Sequence, residues 1–313
     1  MVEVLDAGRD GINRAVKILK EGRLVAFPTE TVYGLGCDAL NEAAVRRVFE
    51  VKRRPLSKPL IVGVSEKEEV YEIAEVNREA EKLMKEFFPG PLTIVLKKKP
   101  VVPNVVTAGG DKVAVRMPDH EVPLKLTEKL GKPIVVPSAN VTGKPSPMTY
   151  EHVLEDLGDK IDAVIVGKCS VGIESTIVDL TVKPARVLRL GAVRVKELNE
   201  HIDVVLQPQR NELYEMPFPV YVFVGEKAEE KVREFAEKAM ERGMRVAIIA
   251  RRKITKNTIT LGESADEYSS GLFSAIRRVE SLKPDLVVVE GIEEHEGVMD
   301  RLRRLAGERI FRT

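Results

Sequence analysis

The feature that most narrows the possible folds is a repeated one, a short apolar run of strand length that polar side chains bring to a stop. Residues 24–39, Leu-Val-Ala-Phe-Pro-Thr-Glu-Thr-Val-Tyr-Gly-Leu-Gly-Cys-Asp-Ala, carry the pattern most fully. Residues 24–27 suit a strand, Pro28 removes a donor and turns the chain out of the ladder, and Thr29, Glu30 and Thr31 follow at once. Gly34 and Gly36 then allow positive φ and close approach of another group to the backbone. The design recurs at Val113-Ala-Val-Arg116-Met-Pro118, at Ile134-Val-Val-Pro-Ser138-Ala-Asn140, before a strand at Gly172-Ile-Glu-Ser-Thr176-Ile-Val-Asp179, and at Arg186-Val-Leu-Arg189-Leu-Gly191. Ligands bind at strand ends in open α/β sheets, so these polar termini point to one shared crevice.

Amphipathic segments lie between the runs. Ile12, Ala15, Val16 and Leu19 fall at helical spacing over 10–21, with Gly22 placed to end that helix. Asn41 is an N-cap for a helix through Val51, and Thr149 caps another. Residues 65–88 read as one long charged helix and 123–130 as a short one, while 60–64, 92–96, 134–136 and 163–166 read as strands. This irregular alternation predicts a mixed, twisted sheet covered by helices. Regular signals fade near Asn199, and 201–219, with Pro208, Pro217 and Pro219, reads as a linker.

Beyond the linker the rhythm is cleaner. Strands are expected at 220–224, 245–250, near Ile259 and at 286–290, with helices at 227–242, 265–282 and from Gly297. That alternation indicates a small parallel, Rossmann-like α/β domain. The expected organisation is therefore a domain over 1–200, a linker over 201–219 and a second domain over 220–313, in a chain of 313 residues long enough for two cores.

Composition excludes several classes. The chain is 43% hydrophobic and 32% charged, which suits a globular protein in water, and its net charge of +1 gives no global pull toward nucleic acid or membrane. No apolar run reaches the roughly 20 residues of a membrane span, and the first residues lack the basic and apolar regions of a signal peptide, so a cytoplasmic setting is expected. Cys37 and Cys169 lack metal-ligand spacing and are expected as free thiols. Glutamine occurs only at 207 and 209 while Lys, Arg and Glu abound, which leans toward a thermophile.

The chemistry is sought in local clusters. Walker A, dinucleotide-fingerprint, zinc-helix and nucleophile-elbow patterns are absent, and four scattered histidines give little support to histidine acid/base work. Residues 52–60, Lys-Arg-Arg-Pro-Leu-Ser-Lys-Pro-Leu, concentrate positive charge between prolines that aim Arg54 and Lys58. Lys52, Arg54, Lys58, Arg116 and Arg189 gathered at one crevice would take several phosphates. Thr31, Ser138, Ser175 and Asn140 could orient a small polar substrate, and carboxylates such as Glu30 and Glu174 would be needed to offset unpaired cations.

The blocks Pro28-Thr-Glu-Thr-Val-Tyr-Gly-Leu-Gly36, Lys52-x-Arg54-Pro, Pro89-Gly-Pro-Leu-Thr93, Val115-Arg-Met-Pro118, Pro137-Ser-Ala-Asn140 and Glu174-Ser-Thr176 resemble the threonylcarbamoyl-AMP synthase (YrdC-like) family. They stand in family order across about the first 190 residues, and the appended domain resembles the longer, two-domain form. The resemblance implies synthesis of threonylcarbamoyl-AMP from L-threonine, bicarbonate and ATP, with pyrophosphate released and Mg²⁺ assisting. The product would pass to a separate tRNA threonylcarbamoyl transferase complex for N6-threonylcarbamoyladenosine formation; direct tRNA binding by this chain is left open.

By the same resemblance, Thr31, Arg116, Ser138 and Ser175 would hold threonine. Lys52, Arg54, Lys58, Asn140 and Arg189 would hold the nucleotide, with Lys52, Arg54 and Arg116 positioning rather than acting as acid or base. Two departures stand out: Gly63 where many relatives carry a histidine that contacts threonine, and a linker around Tyr214 without the basic, tyrosine-containing lid motif. The competing readings are an RNA-binding module of the same fold and a paralogue that adenylates another carbamoylated acceptor.

Overall fold

The computed structural model describes residues 1–207 and 212–313. The chain divides into two compact units, one of Met1–Thr142, Ser146–Ser170 and Glu174–Gln209, the other of Gly143–Pro145, Val171–Ile173 and Arg210–Thr313.

The first unit holds two mixed sheets. In the smaller, Glu3–Leu5, Ala163–Ile165, Val25–Phe27 and Gly34–Gly36 lie side by side, the last antiparallel to its neighbour. In the larger the spatial order is Val204–Leu206, Ala185–Arg189, Thr176–Asp179, Leu92–Lys98, Lys112–Arg116, Ile61–Gly63 and Ile134–Val135, with Ala74–Glu75 on the side of Leu92–Lys98. The helix Arg9–Lys20 buries Ile12, Ala15, Val16, Ile18 and Leu19 in one cluster with Val25, Phe27, Ala163 and Ile165. Each large apolar side chain so buried contributes about 1.5–3 kcal/mol, which is what seats the helix on the sheet. Asn41 does cap Glu42–Lys52, its side chain accepting from the Ala44 N–H at 3.2 Å.

Several expectations need correction. Residues 65–88 are not one helix but Glu68–Ile73, the strand Ala74–Glu75, and Arg78–Phe87. Ala74 is extended and pairs with Lys98, and Asn77 starts a new helix by accepting from the Ala80 N–H at 2.9 Å. Sheet pairing and a second cap thus override a continuous helical pattern. Gly34 and Gly36 form a strand and have no positive φ. Their lack of a side chain serves close approach, since a Cβ on Gly36 would sit 2.4 Å from Phe27 Cε1.

Within the stretch read as a linker, Val204–Leu206 is a strand paired with Ala185–Arg189. Residues 208–211, Pro208 among them, lie outside the described residues. The short outer strands Glu3–Leu5 and Ile310–Arg312 also went unread, three residues being too few to show a period.

The second unit is a sheet of five parallel strands in the order Thr258–Thr260, Val246–Ala250, Leu286–Glu290, Val220–Val224 and Ile310–Arg312. Its helices are Ala228–Glu241, Ala265–Leu282 and Glu296–Ala306. Ser264 and Glu267 close a reciprocal capping box at the start of the second. The four apolar residues of Leu286–Glu290 are all buried, as a sheet covered on both faces requires. Among the described residues no helix is long and apolar enough to cross a membrane.

Candidate active site

Register brings the polar strand ends together. Lys112–Arg116 runs antiparallel to Leu92–Lys98, so Arg116 lies at the end where Leu92 begins. Thr176 pairs with Leu92, Ile177 with Arg189, and Gly63 with Arg116. One end of the larger sheet therefore gathers Gly63, Arg116, Ser175 and Arg189.

The segment that follows Val25–Phe27 arrives at the same place. Thr29 Oγ1 donates to Val32 O at 2.6 Å and accepts from the N–H groups of Thr31 and Val32, a tight turn that only a short hydroxyl side chain can close. Its proton being so placed, Thr31 is the donor in the 2.9 Å contact between the two hydroxyls. Arg116 Nη2 in turn donates to Thr31 Oγ1 at 2.9 Å and lies 2.7 Å from Glu30 Oε1, while its Nε reaches Gly90 O at 3.3 Å. Thr29, Glu30, Thr31 and Arg116 are all buried. The expected compensation of a cation by Glu30 is thus present.

Ser175 is the second centre. Its hydroxyl lies 2.8 Å from Thr93 Oγ1 and accepts from Arg189 Nη2 at 3.0 Å, and the Arg189 fork also grips Ser175 O at 2.8 and 3.0 Å. Glu174 accepts from Ser146 Oγ at 2.6 Å. Thr93 and Thr29 were not singled out from sequence; Thr93 closes the Pro89-Gly-Pro-Leu-Thr93 block, and its register opposite Ile177 explains why.

Lys52 lies deeper than the other cations of the basic run. Read as a phosphate ligand, it is 2% exposed and its ammonium donates to Ser138 O and, at 2.7 Å, to Asn140 O. Burial pushes it down to about 7, the Arg54 charge acting the same way and Asp156 opposing. These bonds tie it to the 138–140 loop, which Ala139 N–H to Tyr33 O at 2.8 Å and an antiparallel bridge between Gly34 and Ser138 join to the 31–36 segment. The Asn140 amide donates to Val141 O at 2.9 Å.

Arg53, left-handed at φ 50°, ends the helix and releases the basic loop. Arg54 closes that loop on Lys58 O at 3.1 Å and Pro59 O at 2.8 Å, leaving both Arg54 and Lys58 half-buried at its surface.

Around this core, burial raises the Cys169 thiol to about 12, and both cysteines are free. Burial lowers His120, whose Nδ1 accepts from the Val122 N–H at 3.1 Å. At Gly63 a Cβ would stand 2.8 Å from Val136 Cγ1, so close packing against the neighbouring strand favours glycine there. Tyr214 is buried within the second unit, edge-on to Phe273 and with the Arg304 guanidinium 4.3 Å from its ring centroid.

A family model described as "Telomere recombination" (Sua5, YciO, YrdC) matches residues 17–191, and one described as "Threonylcarbamoyl-AMP synthase, C-terminal domain" matches 209–307. The threonylcarbamoyl-AMP synthase of Pyrococcus abyssi is 40% identical over 96% of this chain and 96% of its own length. The chain belongs to the threonylcarbamoyl-AMP synthase family. The Bacillus subtilis member of the family is 33% identical over 96% of this chain and 94% of its own. A crystal structure of the P. abyssi protein Sua5 complexed with L-threonine superposes on the whole chain with a TM-score of 0.93 at 39% identity, covering 99% of that protein.

Proposed function

We propose that the chain is an ATP-dependent L-threonylcarbamoyladenylate synthase acting in the cytoplasm. The observation that carries this reading is the meeting of Thr31, Arg116, Ser175 and Arg189 at one sheet end, in a chain related over its whole length to proteins of that name. Thr31, Arg116, Ser138 and Ser175 bind L-threonine. The Arg116 guanidinium suits a carboxylate, and Thr31 Oγ1, already an acceptor for Arg116, has a second lone pair for the substrate hydroxyl. Arg54, Lys58, Asn140 and Arg189 bind ATP, and Lys52 contributes by fixing the loop that bears Ser138 and Asn140.

Threonine, bicarbonate and ATP give threonylcarbamoyl-AMP, pyrophosphate and water. The threonine nitrogen takes up the bicarbonate carbon, and a carbamate oxygen then displaces pyrophosphate from the α-phosphorus. The protein contributes alignment and fixed positive charge rather than a nucleophile, since its polar groups converge on binding positions. Mg²⁺ would lower the charge on the phosphates. Among the described residues no group of three or more His, Cys, Asp or Glu side chains could cage it, so the nucleotide's own oxygens are its natural ligands. The product feeds a separate transferase complex that modifies tRNA.

The test is pyrophosphate release from ATP with Mg²⁺. Release that requires both threonine and bicarbonate is expected. Release that serine supports as well as threonine points to a different acceptor, and salt-sensitive RNA binding without any release points to a binding module.

A further inference from the structure

Glu30 is left in a state that the residues around it do not explain. It is 6% exposed, and among the described residues its carboxylate has no hydrogen-bond partner beyond the ion pair with Arg116. Its charge contact is with Arg116 Nη2 at 2.7 Å, the same nitrogen that donates to Thr31 Oγ1. Neighbouring donors point elsewhere. The Thr29 hydroxyl goes to Val32 O, the Thr31 hydroxyl to Thr29, and Ser170 offers both its N–H and its hydroxyl to the backbone oxygen of Glu30, at 3.0 and 3.4 Å.

An ionised carboxylate has about four acceptor positions, and burying it without donors is costly even beside a cation. The arrangement suits a carboxylate whose donors arrive with a ligand. The residues assigned to the amino acid supply three hydroxyls and one guanidinium, which answer the substrate's hydroxyl and carboxylate. None of them brings a negative charge to its α-ammonium.

We propose that Glu30 is the acceptor for the α-ammonium of the amino-acid substrate. Arg116 and Glu30 then form a two-pole site: without substrate they lie against each other, and a zwitterion inserts its carboxylate and ammonium between and beside them. This makes Glu30 a specificity residue that rejects ligands lacking the amine, because an unanswered buried carboxylate is left behind. The inference rests on the amino-acid reading of the site.

The test is calorimetric titration of the full chain, without ATP, with L-threonine and with the analogue in which a hydroxyl replaces the α-ammonium. The wild-type protein is expected to bind threonine on the order of 100-fold more tightly than the analogue, the loss typical of a charged hydrogen bond removed from a buried site. Glu30→Gln should weaken threonine by a similar factor and change the analogue by less than about threefold, collapsing the discrimination. Equal weakening of both ligands overturns the proposal, because it means Glu30 only braces Arg116. So does an analogue that binds the wild-type protein as well as threonine does, a result independent of any variant's folding. Glu30→Asp, which keeps the charge at shorter reach, should recover part of the discrimination; discrimination no better than in Glu30→Gln counts against the proposal. Absence of threonine binding to the wild-type protein would instead remove the amino-acid reading itself.

Discussion

Replacing Lys52 with methionine tests the buried ammonium that holds the 138–140 loop. In the folded protein burial and the Arg54 charge bring Lys52 from its ordinary 10.5 down to about 7. Between those values the unfolded chain carries a proton that the folded chain lacks. Stability therefore rises with pH across this window, by about 1.36 kcal/mol per unit, and below about 7 the penalty is complete and constant. From pH 6 to pH 9 the first unit contributes almost nothing and the next two contribute fully, a gain of about 2.7 kcal/mol for the wild-type protein.

Lys52→Met keeps most of the volume and has no titration. Its absolute stability also reflects the two carbonyls it leaves without a donor, at about 1–3 kcal/mol each, but that cost does not change with pH. Guanidinium chloride unfolding of both proteins at pH 6 and pH 9 measures the effect as a difference. Tyr33, Cys37 and Cys169, whose buried groups are raised, shift stability the other way at alkaline pH, equally in both proteins, and cancel. The wild-type advantage over the variant should grow by about 2.7 kcal/mol between the two pH values. A difference independent of pH would refute the reasoning, because it would mean that the ammonium keeps its proton throughout.

Two further substitutions probe the sheet end. Gly63→Ala places a Cβ 2.8 Å from Val136 Cγ1 and should cost about 1–3 kcal/mol in unfolding free energy; a cycle with Val136→Ala should show coupling of about 1 kcal/mol, and additive costs would disprove the close contact. Thr93→Val removes the 2.8 Å partner of the Ser175 hydroxyl without changing shape, so KM for threonine should rise about fivefold with kcat unchanged, and a KM equal to that of the parent would show that Thr93 does not orient Ser175.

The basic loop and the buried Arg116 illustrate how the same residue type acts in two ways. Arg54 closes its own loop on Lys58 O and Pro59 O, and the pair stays half-buried where a charged ligand can reach it. Arg116 is 4% exposed and committed to Thr31, Glu30 and Gly90 O. The first arrangement suits the proposed contact with a multiply charged nucleotide, and the second the proposed contact with a small zwitterion that must be told from its analogues.

Much of this was legible in the linear chain because it rests on local rules. Apolar period, Asn41 and Thr149 as caps, and proline at strand ends place the helices and strands, and the regular second unit was read with the least error, Ala265–Leu282 and Leu286–Glu290 matching residue for residue. The order of the motif blocks, with the polar strand ends, pointed to Thr31, Arg116, Ser175 and Arg189 as candidate site residues, and the fold brings them to one sheet end. What the chain alone did not decide was set by pairs distant in sequence. The break at Ala74 depends on Lys98, glycine at 36 depends on the Phe27 ring, and glycine at 63 depends on Val136. How deeply a cation lies is likewise tertiary: Lys52 and Arg54 stand two residues apart, yet burial against Ser138 and Asn140 sends one ammonium inward while the guanidinium stays with the surface loop. Propensity and period act over a few residues, whereas desolvation and hydrogen-bond pairing act through space, and only the fold determines which groups meet there.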